Sequence, residues 1–310
     1  MSQCKNIDIK LKHKKMKKRN ILVVTLLAVS PYLMYTSCSD DKPQEDVNVE
    51  QVEEVVKERN ESFYQIPAPD EMFSFIKNSG LTYNKSLINS PQKSSTYSTP
   101  MEQTLIFGVY SADLAYTASY EEFNESIKYF ATVQKLAESI GISGAFNEEL
   151  MNNIKNNLDK PEQLLANSND SYFSVIEYLE ENEQGNKLGI IASAGWIETV
   201  YIVANSIDYK KNSDALQRLA DQKLTLDNLM LYLEKYGEDE NVKELMVWLK
   251  ELEQTFDALS EENTTSSGIS LKKNEGGKMV LGGGSSVVMT KDQFTTVKSK
   301  INEIRAKIVK

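Results

Sequence analysis

Two stretches of this chain carry one charge each. From Gln103 to Tyr120 the sole charged residue is Asp113, and from Leu188 to Ile207 it is Glu198. A helix that is apolar on every face is buried, either in a protein core or in a membrane. The second stretch nears membrane-spanning length, but a carboxylate at its centre, with Gly189, Ser193, Gly195 and Asn205, argues against lipid. Both are expected as central helices of a bundle. With 40% hydrophobic residues in 310, the chain has enough apolar surface for a real core around them.

Helix punctuation organises the rest. Pro69, Asp70, Glu71 and then Gly80 delimit a short helix, and a Ser/Thr/Pro loop at 90–100 leads into a helix over about 101–119. Ser119 and Glu122 read as a capping box for the next, which closes at Gly141 and carries Phe123, Ile127, Phe130, Ala137 and Ile140. Leu150, Ile154 and Leu158 mark a third, and Pro161 opens a fourth that ends before Gly185. A fifth covers about 187–208, a sixth ends at Gly237, and Val242, Leu245, Leu249, Leu252, Phe256 and Leu259 form the stripe of a seventh. Nothing in this region alternates like a strand. The expectation is an all-α antiparallel bundle, a single helical domain over 63–310.

One small β element is expected inside it. Over about 278–290, Lys278–Leu281, a glycine run and Val287–Met289 predict a β-hairpin. A C-terminal helix over about 291–309 then opens on Thr290 and Gln293, a second capping box. Its residues Phe294, Val297, Ile301, Ile304 and Ile308 form one clean stripe. Residues 271–310 hold nine basic and three acidic residues, so a tail of net +6 is expected to dock on an acidic body. Gly277-Lys278 is followed by Met279 rather than Ser or Thr, so the glycines do not make a phosphate loop.

The first forty residues read as an address. Lys14, Lys15, Lys17, Lys18 and Arg19 precede an apolar run from Ile21 to Tyr35, which closes on Thr36-Ser37-Cys38. This order is that of an export signal over 1–37, and Met16 offers an alternative start. Cys38 after small residues resembles a bacterial lipobox, which implies lipidation at Cys38. Ser39, Asp40 and Asp41 resemble the surface-export tag of Bacteroidota lipoproteins, which implies a lipid anchor in the outer membrane, facing the exterior. Residues 38–62 are acidic and poor in apolar residues, so they read as a tether.

Removing 1–37 takes eight of 35 basic and one of 45 acidic residues, leaving 27 and 44, a net of −17. His13 and Cys4 go with the signal. A mature chain from Cys38 therefore has no histidine and no free thiol, which excludes Ser-His-Asp and Cys-His nucleophiles and Cys/His zinc sites. No cofactor or metal is expected and no catalytic residue is assigned. The negative balance also argues against nucleic acid as a partner. Membrane attachment through the lipid, and a protein or glycan partner, are the expected interactions.

The two isolated carboxylates are the candidate site. A buried carboxylate needs a hydrogen-bonding partner or a proton. One reading has Asp113 and Glu198 held by tyrosine hydroxyls, backbone groups or a neighbouring lysine, so that Asp113→Asn and Glu198→Gln destabilise the fold. The other gathers Tyr110, Asp113, Tyr116, Trp196, Glu198 and Tyr201 into an aromatic-carboxylate cleft for a glycan or peptide. Paired carboxylates in such a cleft also suit a glycosidase.

The run Ile66-Pro-Ala-Pro, then Ser79-Gly-Leu-Thr-Tyr-Asn, Leu87-Ile-Asn-Ser-Pro and Gly108-Val-Tyr-Ser-Ala-Asp-Leu-Ala-Tyr resembles a family of uncharacterised helical lipoproteins of Bacteroidota. The resemblance is clear over about residues 60–120 and looser at Ala194-Gly-Trp-Ile-Glu. It implies the same address and an all-α fold, and it implies no activity.

Overall fold

The computed structural model describes residues 67–157, 160, 163–262, 270–273, 279–282 and 286–310. The export signal, Cys38, the Ser39-Asp40-Asp41 tag and the tether over 38–62 lie outside the described residues, as do Leu158 and Pro161. Within them the fold is all-α. Ten helices follow in order: α1 (Pro69–Asn78), α2 (Pro100–Ser119), α3 (Phe123–Ser139), α4 (Glu148–Asn157), α5 (Leu164–Glu181), α6 (Gly185–Ser206), α7 (Ser213–Ala220), α8 (Gln222–Glu234), α9 (Glu240–Asp257) and α10 (Lys291–Ile308). Between α1 and α2 the chain makes 3-10 turns at Lys85–Leu87 and Pro91–Thr96.

The two nearly charge-free helices, α2 and α6, pack against each other at the centre. They approach closely because the contact is built from small residues. A Cβ on Gly108 would land on the Ile191 carbonyl oxygen and 3.0 Å from the Ala194 Cβ, while one on Gly195 would meet the Gly108 carbonyl oxygen at 3.2 Å. α6 is long and apolar enough to cross a membrane, yet 89% of its apolar window is buried inside the protein. Amphipathic helices wrap this pair. α9 buries Val242, Leu245, Leu249, Leu252 and Phe256, and α10 buries Phe294, Val297, Ile301, Ile304 and Ile308, all within one shared core. The N-terminus of α10 has both reciprocal bonds of its capping box, Thr290 with Gln293.

Two expectations are corrected. Ser119 does not cap α3, because α2 runs through it. The turn falls on Glu121, in the left-handed region with φ of 60°, and Glu122 makes no side-chain cap. α3 is also rotated from its expected face, with Ser126, Tyr129, Val133, Leu136 and Ala137 inward while Ile127 is 36% exposed. The Tyr129 hydroxyl donates to the Asn89 carbonyl at 2.8 Å and so draws that face inward. α5 ends before Gly185 as expected, with a left-handed turn on Glu183 at φ of 57°, and Gly185 starts α6. A Cβ on Gly185 would meet the Tyr236 hydroxyl, so a side chain there requires Tyr236 to shift.

The β-hairpin expected over about 278–290 is not supported. Met279–Gly282 and Ser286–Val288 do not pair with each other. The first runs antiparallel to Ser270–Lys273, with Leu271 opposite Leu281, and the second to Ser260–Glu262.

Candidate functional site

Asp113 and Glu198 sit opposite each other on α2 and α6, and both are 0% exposed. Glu198 meets Arg305, which α10 delivers from the far end of the chain. Arg305 Nε donates to Glu198 Oε2 at 2.8 Å and Nη2 to Oε1 at 2.9 Å, a two-pronged ion pair. The guanidinium carbon lies 4.3 Å from the centre of the Tyr201 ring, so the aromatic face shields its other side. Nη2 also reaches the Leu87 carbonyl at 3.4 Å.

Asp113 has weaker support. Its Oδ2 accepts from the Asn89 backbone N–H at 3.1 Å, while its buried Oδ1 has no donor. Its carboxyl interacts electrostatically with that of Glu198, and two fully buried carboxyls facing one guanidinium favour a proton on one of them. Burial pushes both groups up, and the neighbouring Glu198 charge pushes Asp113 further, well above the usual carboxylate range. Glu198 is held back by two bonds from Arg305, which Asp113 lacks. Of the two, Asp113 is therefore the group pushed more strongly toward its protonated form. Burial alone would lower the pKa of Arg305, but the hydrogen bonds and charge of Glu198 more than offset it and leave it raised.

The tyrosines do not approach these carboxylates as donors. Tyr110 donates to the Ser90 carbonyl at 2.7 Å, and the Asn84 N–H donates to the Tyr116 hydroxyl at 2.9 Å. Asn89 is the hub of this second network, since its side-chain amide donates to Tyr97 and Tyr110 at 3.1 and 3.3 Å. Burial raises the pKa of Tyr110 and of Tyr116. The hydroxyls therefore stay protonated and fasten the 84–97 segment to α2 and α3.

Of the six sequence-predicted residues, the structure thus brings Asp113, Glu198 and Tyr201 together around Arg305 and commits Tyr110 and Tyr116 to the adjoining loop. It sends Trp196 elsewhere. The aromatic-carboxylate cleft does not open, since both carboxyls are 0% exposed, whereas glycoside hydrolysis needs a carboxyl pair that reaches the sugar. Among the described residues no group of three His, Cys, Asp or Glu side chains gathers to hold a metal.

Trp196 instead floors a groove of about 550 Å³ between α1, α5, α6 and the α7–α8 run. That volume lies within the range of ligand pockets. Trp196 is only 2% exposed and donates its indole N–H to Gln222 Oε1 at 3.0 Å. Pro67, Pro69 and Met72 form one wall and Leu224 the other. Arg218 pairs with Glu71, lies 5.6 Å from the centre of the Phe75 ring, and keeps a buried Nε–H with no acceptor.

Sequence reasoning missed Arg305, Arg218 and Asn89. Arg305 left a trace, because it follows Ile301 by four residues and so falls on the inward stripe of its helix. Asn89 and Arg218 left none, since their roles depend on which loop and which helices meet. Comparison with known proteins finds no matching family, no similar curated protein and no similar solved structure.

Proposed function

We propose that the mature chain is a lipid-anchored protein of the outer membrane, facing the exterior, whose helical body acts by binding through the Trp196 groove. The address rests on the charged-apolar-small order before Cys38 and on the resemblance to Bacteroidota lipoproteins. The binding half rests on one observation. The centre of the bundle is closed, with Asp113 and Glu198 fully buried, whereas the groove beside Trp196 encloses about 550 Å³ and holds an Arg218 Nε–H with no acceptor.

Intact mass of the purified mature protein tests the anchor. The expected species begins at Cys38 and carries added acyl mass, and an unacylated chain beginning upstream of Cys38 contradicts it. Replacing Asp40 and Asp41 with Ala is expected to leave the protein in the membrane fraction with reduced cleavage by external protease. Unchanged cleavage would leave the acidic pair as part of the tether only.

A further inference from the structure

The wall contributed by α7 and α8 decides what the groove can hold. The two helices meet at Asp221, which itself has helical dihedrals (φ −62°, ψ −16°), so they form one nearly continuous run. Arg218, Asp221, Thr225 and Asn228 recur along it at three- and four-residue spacing and all line the groove. They make a polar ridge. Arg218 Nε has no acceptor, and one Asp221 oxygen accepts from Gln217 at 2.9 Å. Among the described residues Thr225 and Asn228 make no side-chain hydrogen bond, and Asn228 is exposed.

The charge balance narrows the choice further. The charged residues lining the groove are Glu71, Arg218 and Asp221, a formal sum of −1, with Arg218 already paired to Glu71. An anion would be repelled by that sum. A simple cation would bring no acceptor for the Arg218 N–H. A hydroxyl serves both needs, since it donates to a carboxylate and accepts from an N–H. Half-buried Pro67 and exposed Phe173 offer apolar surface suited to the C–H faces of a sugar ring, while Pro69 and Met72 line the groove but are buried.

Building on the binding role proposed above, we infer that the groove takes a neutral, hydroxyl-rich chain, a short uncharged oligosaccharide, held edgewise between the Arg218–Asn228 ridge and the proline wall. Trp196 reports occupancy from beneath, because its indole is tied to Gln222 on the ridge side.

The chain has two tryptophans, so Trp248→Phe leaves Trp196 as the sole indole reporter. Its emission is followed in full-length mature protein while maltotriose, cellotriose and triacetylchitotriose are added, with trigalacturonate and trialanine as the anionic and peptide probes. The expected result is a saturable change with at least one neutral trisaccharide, at a Kd of about 1 mM or tighter. Asn228→Ala, a change at an exposed position, should weaken it about tenfold with an unaltered melting temperature. Saturable binding of trigalacturonate or trialanine alone would overturn the ligand class while leaving the groove as a binding site. No saturable change with any probe would overturn both. Neutral-sugar binding that Asn228→Ala and Thr225→Ala both leave unchanged would place the sugar off the ridge and overturn the inference.

Discussion

Charge balance among three buried groups organises the centre of this protein. With Asp113 protonated, the triad of Asp113, Glu198 and Arg305 is electrically neutral, which is the form a fully buried cluster tolerates best. This changes what Asp113→Asn should do. An asparagine there is a neutral isostere of the protonated acid and keeps an oxygen to accept from the Asn89 N–H. The stability change is therefore expected within about 1 kcal/mol, smaller than the loss expected from sequence alone. The pH dependence has a definite sign. The folded-state pKa of Asp113 is raised, so its contribution is fully present below the unfolded value near 3.8 and is lost as pH rises through the folded value. Melts across about pH 5–9 should show the native protein losing stability toward the alkaline end and Asp113→Asn losing less. Identical pH profiles would place the proton elsewhere.

At the scale of helices, the tail is keyed into the body by shape and by charge. Ile301 is 0% exposed, so Ile301→Ala is expected to cost about 2–5 kcal/mol by chemical denaturation. A change under about 0.5 kcal/mol would mean the helix is not packed there. The crossing of α2 and α6 makes a second, graded prediction. Gly108→Ala drives a Cβ into backbone and should cost about 1–3 kcal/mol or more, while Gly195→Ala meets an oxygen at 3.2 Å and should cost less. Equal losses would contradict the close approach. How well each element was legible follows from how local its cause is. α9 and α10 could be read because their stripes and Asp239 or Thr290 caps are written within a few residues. The face of α3 could not, because Tyr129 turns inward toward a loop carbonyl forty residues away, displacing the more apolar Ile127. The pairings around Gly282–Ser286 failed for the same reason, since each strand's partner lies outside the apparent hairpin.

Across the whole molecule, the two features that stood out in the sequence took different fates. Asp113 and Glu198 were legible as buried carboxylates from their isolation in apolar helices, and the structure spends them on holding α2, α6 and α10 together. Trp196 was legible only as an aromatic near Glu198; helical twist turns it to the opposite side, onto a groove whose other wall lies more than twenty residues further along the chain. The buried charge cluster and the proposed binding groove are thus separated in space, with a locked centre and a polar-lined groove at the side. The most direct test is the melting temperature of Glu198→Gln. It leaves Arg305 buried without its counter-charge, a loss of about 3–5 kcal/mol, which in a body of this size lowers Tm by roughly 6–20 °C. An unchanged or raised Tm would contradict the locked centre and return Glu198 to the list of binding residues.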